Sequence, residues 1–168
     1  MPKEPQPHYC IDTSSLINWW NEDYTPDVFE GLPDRLADLI KQGRLRSVRA
    51  VQDEIKDSDP QSKEINLCKW CKVHSGFYLP DDEAIQLKVR EIMASFQNPL
   101  KTRGIGGADP FLIARAALNG PHWFVVSNES PNTGNDHKNP NIPFVCSQLG
   151  IKHVRFLDML KNEGWKLK

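Results

Sequence analysis

The chain has 168 residues, with 21 Lys plus Arg against 22 Asp plus Glu and a formal net charge of −1. That length suits a single domain whose core needs no disulfide or metal staple, and a 39% hydrophobic content excludes a disordered chain. Near-neutral charge excludes a module that binds nucleic acid through bulk positive charge, and no apolar run approaches the ~20 residues of a membrane span. Met1-Pro2-Lys3-Glu4-Pro5-Gln6-Pro7 is polar and proline-rich, which is not a secretory signal. Residues 1–8 therefore read as a flexible lead-in to one domain over 9–168, expected in the cytoplasm.

Tyr9-Cys10-Ile11-Asp12 reads as a first strand, with Thr13 or Ser14 placed to cap the helix carrying Leu16, Ile17 and Trp20. Over 27–42, Val28, Leu32, Leu36, Leu39 and Ile40 recur at helical spacing until Gly43 stops the run. A short strand is expected over 45–48 and a brief helix over 51–55. A further helix over 62–74 has Ile65, Leu67, Cys68 and Cys71 on its buried side. Its Cys68-Lys69-Trp70-Cys71 spells C-x-x-C, but no second ligand pair stands at zinc-motif spacing, so it reads as one face of an amphipathic helix. Residues 76–80 have strand composition ended by Pro80. Asp82 begins a long helix through Ile85, Val89, Ile92 and Phe96. After a basic, glycine-rich loop, Asp109 opens a helix with Phe111 to Leu118, ended by Asn119-Gly120. Residues 122–126 form the clearest strand, being apolar and rich in β-formers. A polar loop over 128–141 follows, then a short helix from Ile142-Pro143, a last strand at Val154-Arg155-Phe156 and a last helix over 157–163. Strands and helices alternate throughout, the pattern of an α/β fold with a parallel, doubly wound sheet.

Ligands of open parallel sheets bind outside the carboxyl ends of the strands. Four acids fall there: Asp12 after the first strand, Glu54 on the helix after the second, Asp109 at a helix start and Glu129 past the clearest strand. Each alone has an ordinary reading, as a cap, a first-turn acid or a solvated side chain. Converging carboxylates repel one another, whereas a divalent cation turns them into a hard-oxygen site suited to Mg²⁺ or Mn²⁺. Such an ion polarises a phosphoryl oxygen and activates water, so phosphodiester chemistry needs no basic surface.

The motifs have a relative. Cys10-Ile11-Asp12-Thr13-Ser14-Ser15-Leu16-Ile17 resembles the opening motif of PIN domains. Val51-Gln52-Asp53-Glu54-Ile55 resembles the second motif, Gly107-Ala108-Asp109-Pro110-Phe111-Leu112-Ile113-Ala114 the third, and Val125-Val126-Ser127-Asn128-Glu129 the fourth. The likeness is strongest to a branch of PIN-like proteins related to VapC-type toxins. That branch shares a tail like Asn141-Ile142-Pro143-Phe144-Val145-Cys146, then Leu149-Gly150-Ile151 and Phe156-Leu157-Asp158-Met159-Leu160. The resemblance covers about 9–164 in motif order. It implies a three-layer α/β/α PIN-like fold with a mainly parallel sheet. It also implies a metal-dependent endoribonuclease, as the toxin of a toxin–antitoxin pair. Asp12, Glu54, Asp109 and Glu129 then become catalytic metal ligands for Mg²⁺ or Mn²⁺, with Thr13 and Ser127 orienting the acids. Many PIN nucleases end the fourth motif in aspartate where this chain has Glu129. The added methylene suits contact through water or a second ion.

Lys101 and Arg103, beside Gly104, Gly106 and Gly107, read either as contacts to an RNA phosphate or as part of an ordinary surface loop. His137 and Lys138 read as solvated loop residues. Of Trp19-Trp20, one is expected in the core and the other at a rim or interface. Expected partners are RNA, an antitoxin protein and a second copy of the chain, with no membrane. The competing reading is a catalytically inactive PIN-like RNA-binding or scaffold protein. A haloacid-dehalogenase-like phosphatase is disfavoured because Ser14 stands where its second acid would.

Overall fold

The structure is a computed structural model that describes residues 2–57, 64–96, 105–130 and 140–167. It is built around β1 (His8–Ile11), whose Tyr9, Cys10 and Ile11 are fully buried. On one side β1 pairs in parallel with β2 (Leu45–Val48), and on the other with β4 (Trp123–Val126). β3 (Tyr78–Leu79) adds to β2, and β5 (Lys152–Val154) to β4. The order is β3-β2-β1-β4-β5, all parallel, so the direction of winding reverses between β1 and β4. In such sheets that reversal opens a crevice at the carboxyl ends of the two strands.

The helices divide between two apolar clusters, giving the three-layer α/β/α arrangement of a PIN-like fold. One cluster takes side chains from α1 (Thr13–Asn18), α2 (Leu32–Lys41), α3 (Arg49–Lys56), α4 (Glu64–Val73) and α8 (Phe156–Asn162). The other takes them from α5 (Glu83–Ser95), α6 (Asp109–Asn119) and α7 (Ile142–Leu149), with Leu112 of α6 reaching the first cluster. In β4, Val126 belongs to the first cluster and its neighbour Val125 to the second, as strand alternation requires.

Four details differ from the sequence expectation. The helix expected over 27–42 starts only at Leu32, behind Gly31 and with Pro33 in its first turn. Val28, expected on its buried face, is 67% exposed. The strand expected at Val154-Arg155-Phe156 is shifted: β5 ends at Val154, Arg155 caps α8, and Phe156 is the helix's buried first residue. Asp12 itself, rather than Thr13 or Ser14, caps α1, accepting the Ser15 N–H at 2.8 Å. Asp109 opens α6 as expected, as its first residue behind Ala108.

α1 runs into a π-helical turn, Trp19–Asp23. The poorer hydrogen-bond geometry of such a turn is offset by burying Trp19 completely. Its indole stacks on Phe156 with centroids 6.2 Å apart and meets Trp20 and Trp70 edge-on. Trp20 is half-buried at the cluster's margin, as expected of the pair. Cys68 and Cys71 lie on α4, half-buried and buried, both as free thiols. A buried ion pair of Arg44 with Glu163, which also accepts from the Tyr9 hydroxyl at 2.8 Å, ties the last helix to the central strand. Arg44 also donates to the Pro7 carbonyl at 2.9 Å and so holds the end of the lead-in. Among the described residues no helix is long and apolar enough to cross a membrane.

Candidate active site

Asp12 follows β1, Glu54 lies on α3 after β2, Asp109 opens α6 and Glu129 follows β4. β2, β1 and β4 are neighbours and parallel, so the four acids share the carboxyl edge of the sheet around the β1–β4 reversal.

Asp12 is 4% exposed. Burial raises its carboxyl, hydrogen bonds from Ser14 and Ser15 lower it, and the charge of Glu129 raises it again. The Ser14 hydroxyl donates to Oδ2 at 2.6 Å. Asp109 shows the site's electrostatics most plainly. Burial, then the charges of Glu129, Asp12 and Glu54, push its carboxyl up to about 7. Asp109 thus feels the charge of the other three acids, and Asp12 that of Glu129. Their field reaches the buried Cys146 of α7, whose thiol is pushed up to about 12 by burial and then by Glu129 and Asp109.

Glu54 is fixed from two sides. The Thr13 hydroxyl donates to Oε2, and the Ala108 N–H donates to Oε1 at 2.9 Å. The second contact depends on Gly107, which turns the chain at φ +61°; a Cβ there would lie 2.9 Å from Glu54 Oε1. Only glycine adopts that backbone without strain while the carboxylate stands so near. Thr13 thus contacts one of the four acids through its hydroxyl. Ser127 does not. Its Oγ lies 2.8 Å from His153 Nε2, so its hydrogen bond goes to β5 rather than to an acid. Glu129 accepts from the Ile142 N–H at 2.9 Å, which anchors it to the start of α7.

The expected four-acid ligand set is therefore gathered but not closed. Among the described residues no group of three or more His, Cys, Asp and Glu side chains converges tightly enough to hold a metal ion. The reason is visible in the contacts above: Glu54 is turned toward Thr13 and Ala108, and Glu129 toward Ile142. The donor chemistry still fits a hard cation, since every group is a carboxylate and Mg²⁺ commonly binds through one or two carboxylates while keeping several waters. Lys101, Arg103, His137 and Lys138 lie outside the described residues.

Comparison with known proteins places this arrangement. The profile of the family described as Domain of unknown function (DUF4411) matches residues 9–167. The chain belongs to the DUF4411 family. No curated protein matches it. Among solved structures, this DUF4411 chain is similar to a chain in the structure of FitAB bound to an IR36 DNA fragment. The two are 14% identical with a TM-score of 0.52, over 88% of this chain and 94% of that one. That likeness is one of fold.

Sequence reasoning missed three polar residues at this edge. His153 partners Ser127 as described. Asn128 donates from Nδ2 to Asn18 Oδ1 at 3.2 Å and accepts the Phe156 N–H at 3.4 Å. These contacts join α1, the β4 loop and α8, elements far apart in the chain. No local motif announces them.

Proposed function

We propose that this DUF4411 chain is a metal-dependent endoribonuclease, hydrolysing RNA phosphodiester bonds with Mg²⁺ or Mn²⁺, and acts as the toxin of a toxin–antitoxin pair. One observation carries the reading: Asp12, Glu54, Asp109 and Glu129 share the carboxyl edge of the sheet at the β1–β4 reversal, and there burial and the other three acids raise the carboxyl of Asp109. A fold has no structural reason to accumulate charges that repel, and strongly shifted acids in a crevice mark functional sites. Asp109, Asp12 and Glu129 are the residues that would hold the ion, with Glu54 joining directly or through water. The ion would polarise a phosphoryl oxygen and lower the pKa of a bound water. Ser14 and Ser15 would keep Asp12 aimed and Thr13 would keep Glu54 aimed, so that little reorganisation accompanies binding. The likeness to the FitAB chain supports a PIN-like scaffold for this chemistry, and an antitoxin partner belongs to the same proposal.

A second reading has an observation in its favour. Asp12, Glu54 and Glu129 already have internal hydrogen-bond partners, and no three acids close into a cluster. An inactive RNA-binding or scaffold protein would keep such a relaxed arrangement. RNA cleavage with added Mn²⁺ separates the two, comparing wild type with Asp109→Asn and with Asp12→Asn, which keeps a capping oxygen for Ser15. The expected result is cleavage by wild type and loss in both variants with folding intact. Equal activity in all three removes the proposed site.

A further inference from the structure

Beside the carboxylate edge lies a second, polar cavity of about 290 Å³, lined by Asn18, Asp23, Tyr24, Asn128, Arg155 and Phe156 among others. That size is at the lower end for small-molecule pockets, enough for one nucleotide and not for an extended ligand. Two of its residues come from elements that also carry the acids: Asn128 precedes Glu129, and Asn18 is the last residue of the helix that Asp12 caps.

The lining is mixed in a particular way. Tyr24 supplies half-buried aromatic surface, backed by the buried Phe156 with centroids 5.5 Å apart and planes at 49°. The π-helical turn ends at Asp23 and delivers that carboxylate and the adjoining Tyr24 to the cavity. π-helical turns recur at functional sites. Arg155 supplies a guanidinium, whose Nε lies 3.6 Å from Asp158 with over half of the side chain exposed. Tyr24 senses all of these charges, its phenol being raised by burial and then Asp23, lowered by Arg155 and raised by Asp158. Asn18 and Asn128 hold each other by one amide contact and Asn18 donates to Glu22 at 3.1 Å. Each amide carries two N–H donors and an oxygen with two lone pairs, so hydrogen-bonding capacity remains on both.

The Tyr24 ring, an acceptor carboxylate and a forked donor in one small cavity match a purine that offers N–H donors on one edge and paired acceptors on another. Guanine has that pattern: its N1–H and N2–H₂ suit a carboxylate, and its O6 and N7 suit an arginine. Adenine lacks O6, and the pyrimidines lack the second acceptor pair. Unstacked bases of single-stranded RNA are read in this way, by stacking and by edge hydrogen bonds. We propose that the cavity is a base-specificity pocket that takes a guanine of single-stranded RNA next to the phosphodiester at the carboxylate edge. This deepens the nuclease reading and rests on it for the position of the scissile bond, not for the binding of the base.

The test uses the full chain with chelator present, so that binding is measured without cleavage. GMP, AMP, CMP and UMP are titrated by calorimetry against wild type, Asp23→Asn and Tyr24→Leu, with thermal melts confirming that each variant is folded. GMP is expected to bind about tenfold more tightly than UMP, and Asp23→Asn to erase that preference. RNA tetranucleotides with and without one guanine are expected to show the same difference. Equal affinity for the four nucleotides overturns the proposal, as does a guanine preference unchanged in Asp23→Asn and Tyr24→Leu. Binding of GMP without discrimination among the tetranucleotides overturns the RNA assignment and leaves a free-nucleotide site. A chain that passes these tests but leaves RNA uncut with Mn²⁺ keeps the pocket and loses the nuclease reading.

Discussion

Replacing Asp109 with asparagine should stabilise the metal-free protein at alkaline pH, and the size of the effect follows from the site. The carboxyl of Asp109 is pushed from an ordinary 3.8 to about 7, so its folded-state pKa lies above the unfolded one. Stability from this group is therefore greatest below 3.8 and is lost as pH rises through about 7. At one pKa unit per 1.36 kcal/mol the charged form costs about 4 kcal/mol, which relaxation and solvent at a partly exposed group reduce to about 2. A first-turn acid gains about 0.3–1 kcal/mol from the helix dipole, which Asp109→Asn forfeits, so the repulsion wins. His153 runs the other way. Burial holds its imidazole down at about 4, so the unfolded chain protonates first and stability is lost as pH falls from 6.5 toward 4. In wild type the two trends oppose each other over pH 4–6.5, and the melting temperature should change little between pH 8 and 5. Asp109→Asn should melt about 3–6 °C above wild type at pH 8 in chelator, with the gap shrinking by pH 5 as His153 acts unopposed. Thermal melts by circular dichroism at both pH values give the answer. An Asp109→Asn protein that melts below wild type at pH 8 would refute the reasoning, because the acids would then not be in mutual repulsion.

Mn²⁺ should raise the wild-type melting temperature in proportion to the logarithm of its concentration, about 2.7 kcal/mol at a hundred times its Kd, and Asp109→Asn should blunt the response; a flat wild-type titration by scanning calorimetry would count against the metal site. Gly107→Ala should cost about 1–3 kcal/mol because alanine resists the positive φ there. It should also weaken any cleavage activity beyond the stability loss, since the added Cβ displaces Glu54; denaturant melts alongside RNA cleavage check both. Glu163→Ala should destabilise by about 3–5 kcal/mol, because Arg44 is left as an uncompensated buried charge beneath Tyr9; a urea-unfolding midpoint within error of wild type would contradict this.

Much of the architecture was readable in the sequence because local and global preferences agree. Tyr9 to Ile11 and Trp123 to Val126 are short, apolar and bounded by polar residues, and they became the two paired central strands. The order of strands and helices alone places Asp12, Glu54, Asp109 and Glu129 at one edge. The failures arise where tertiary packing overrides the local signal. Phe156 is a β-former after Val154, yet its ring is needed under Trp19, so the chain turns into α8 there. Val28 keeps helical spacing with Leu32, but Gly31 and Pro33 delay the helix and leave it in solvent. The orientation of the acids was not legible either. Thr13 turning to Glu54, Ile142 donating to Glu129 and His153 meeting Ser127 each depend on neighbours that only strand order brings together.

The placement of the central strand bears on how the protein is made. One of the two partners of β1 is β4, far later in the chain, with His8 in register with Trp123, and the N–H of Asp12 closes onto the Val126 carbonyl at 3.0 Å. Such distant pairing forms late, after most of the chain has left the ribosome. Until then Asp12 lacks Glu129 and Asp109 beside it. A polypeptide that has not yet joined β4 to β1 therefore holds Asp12 without the neighbouring Glu129 charge that raises it in the folded chain.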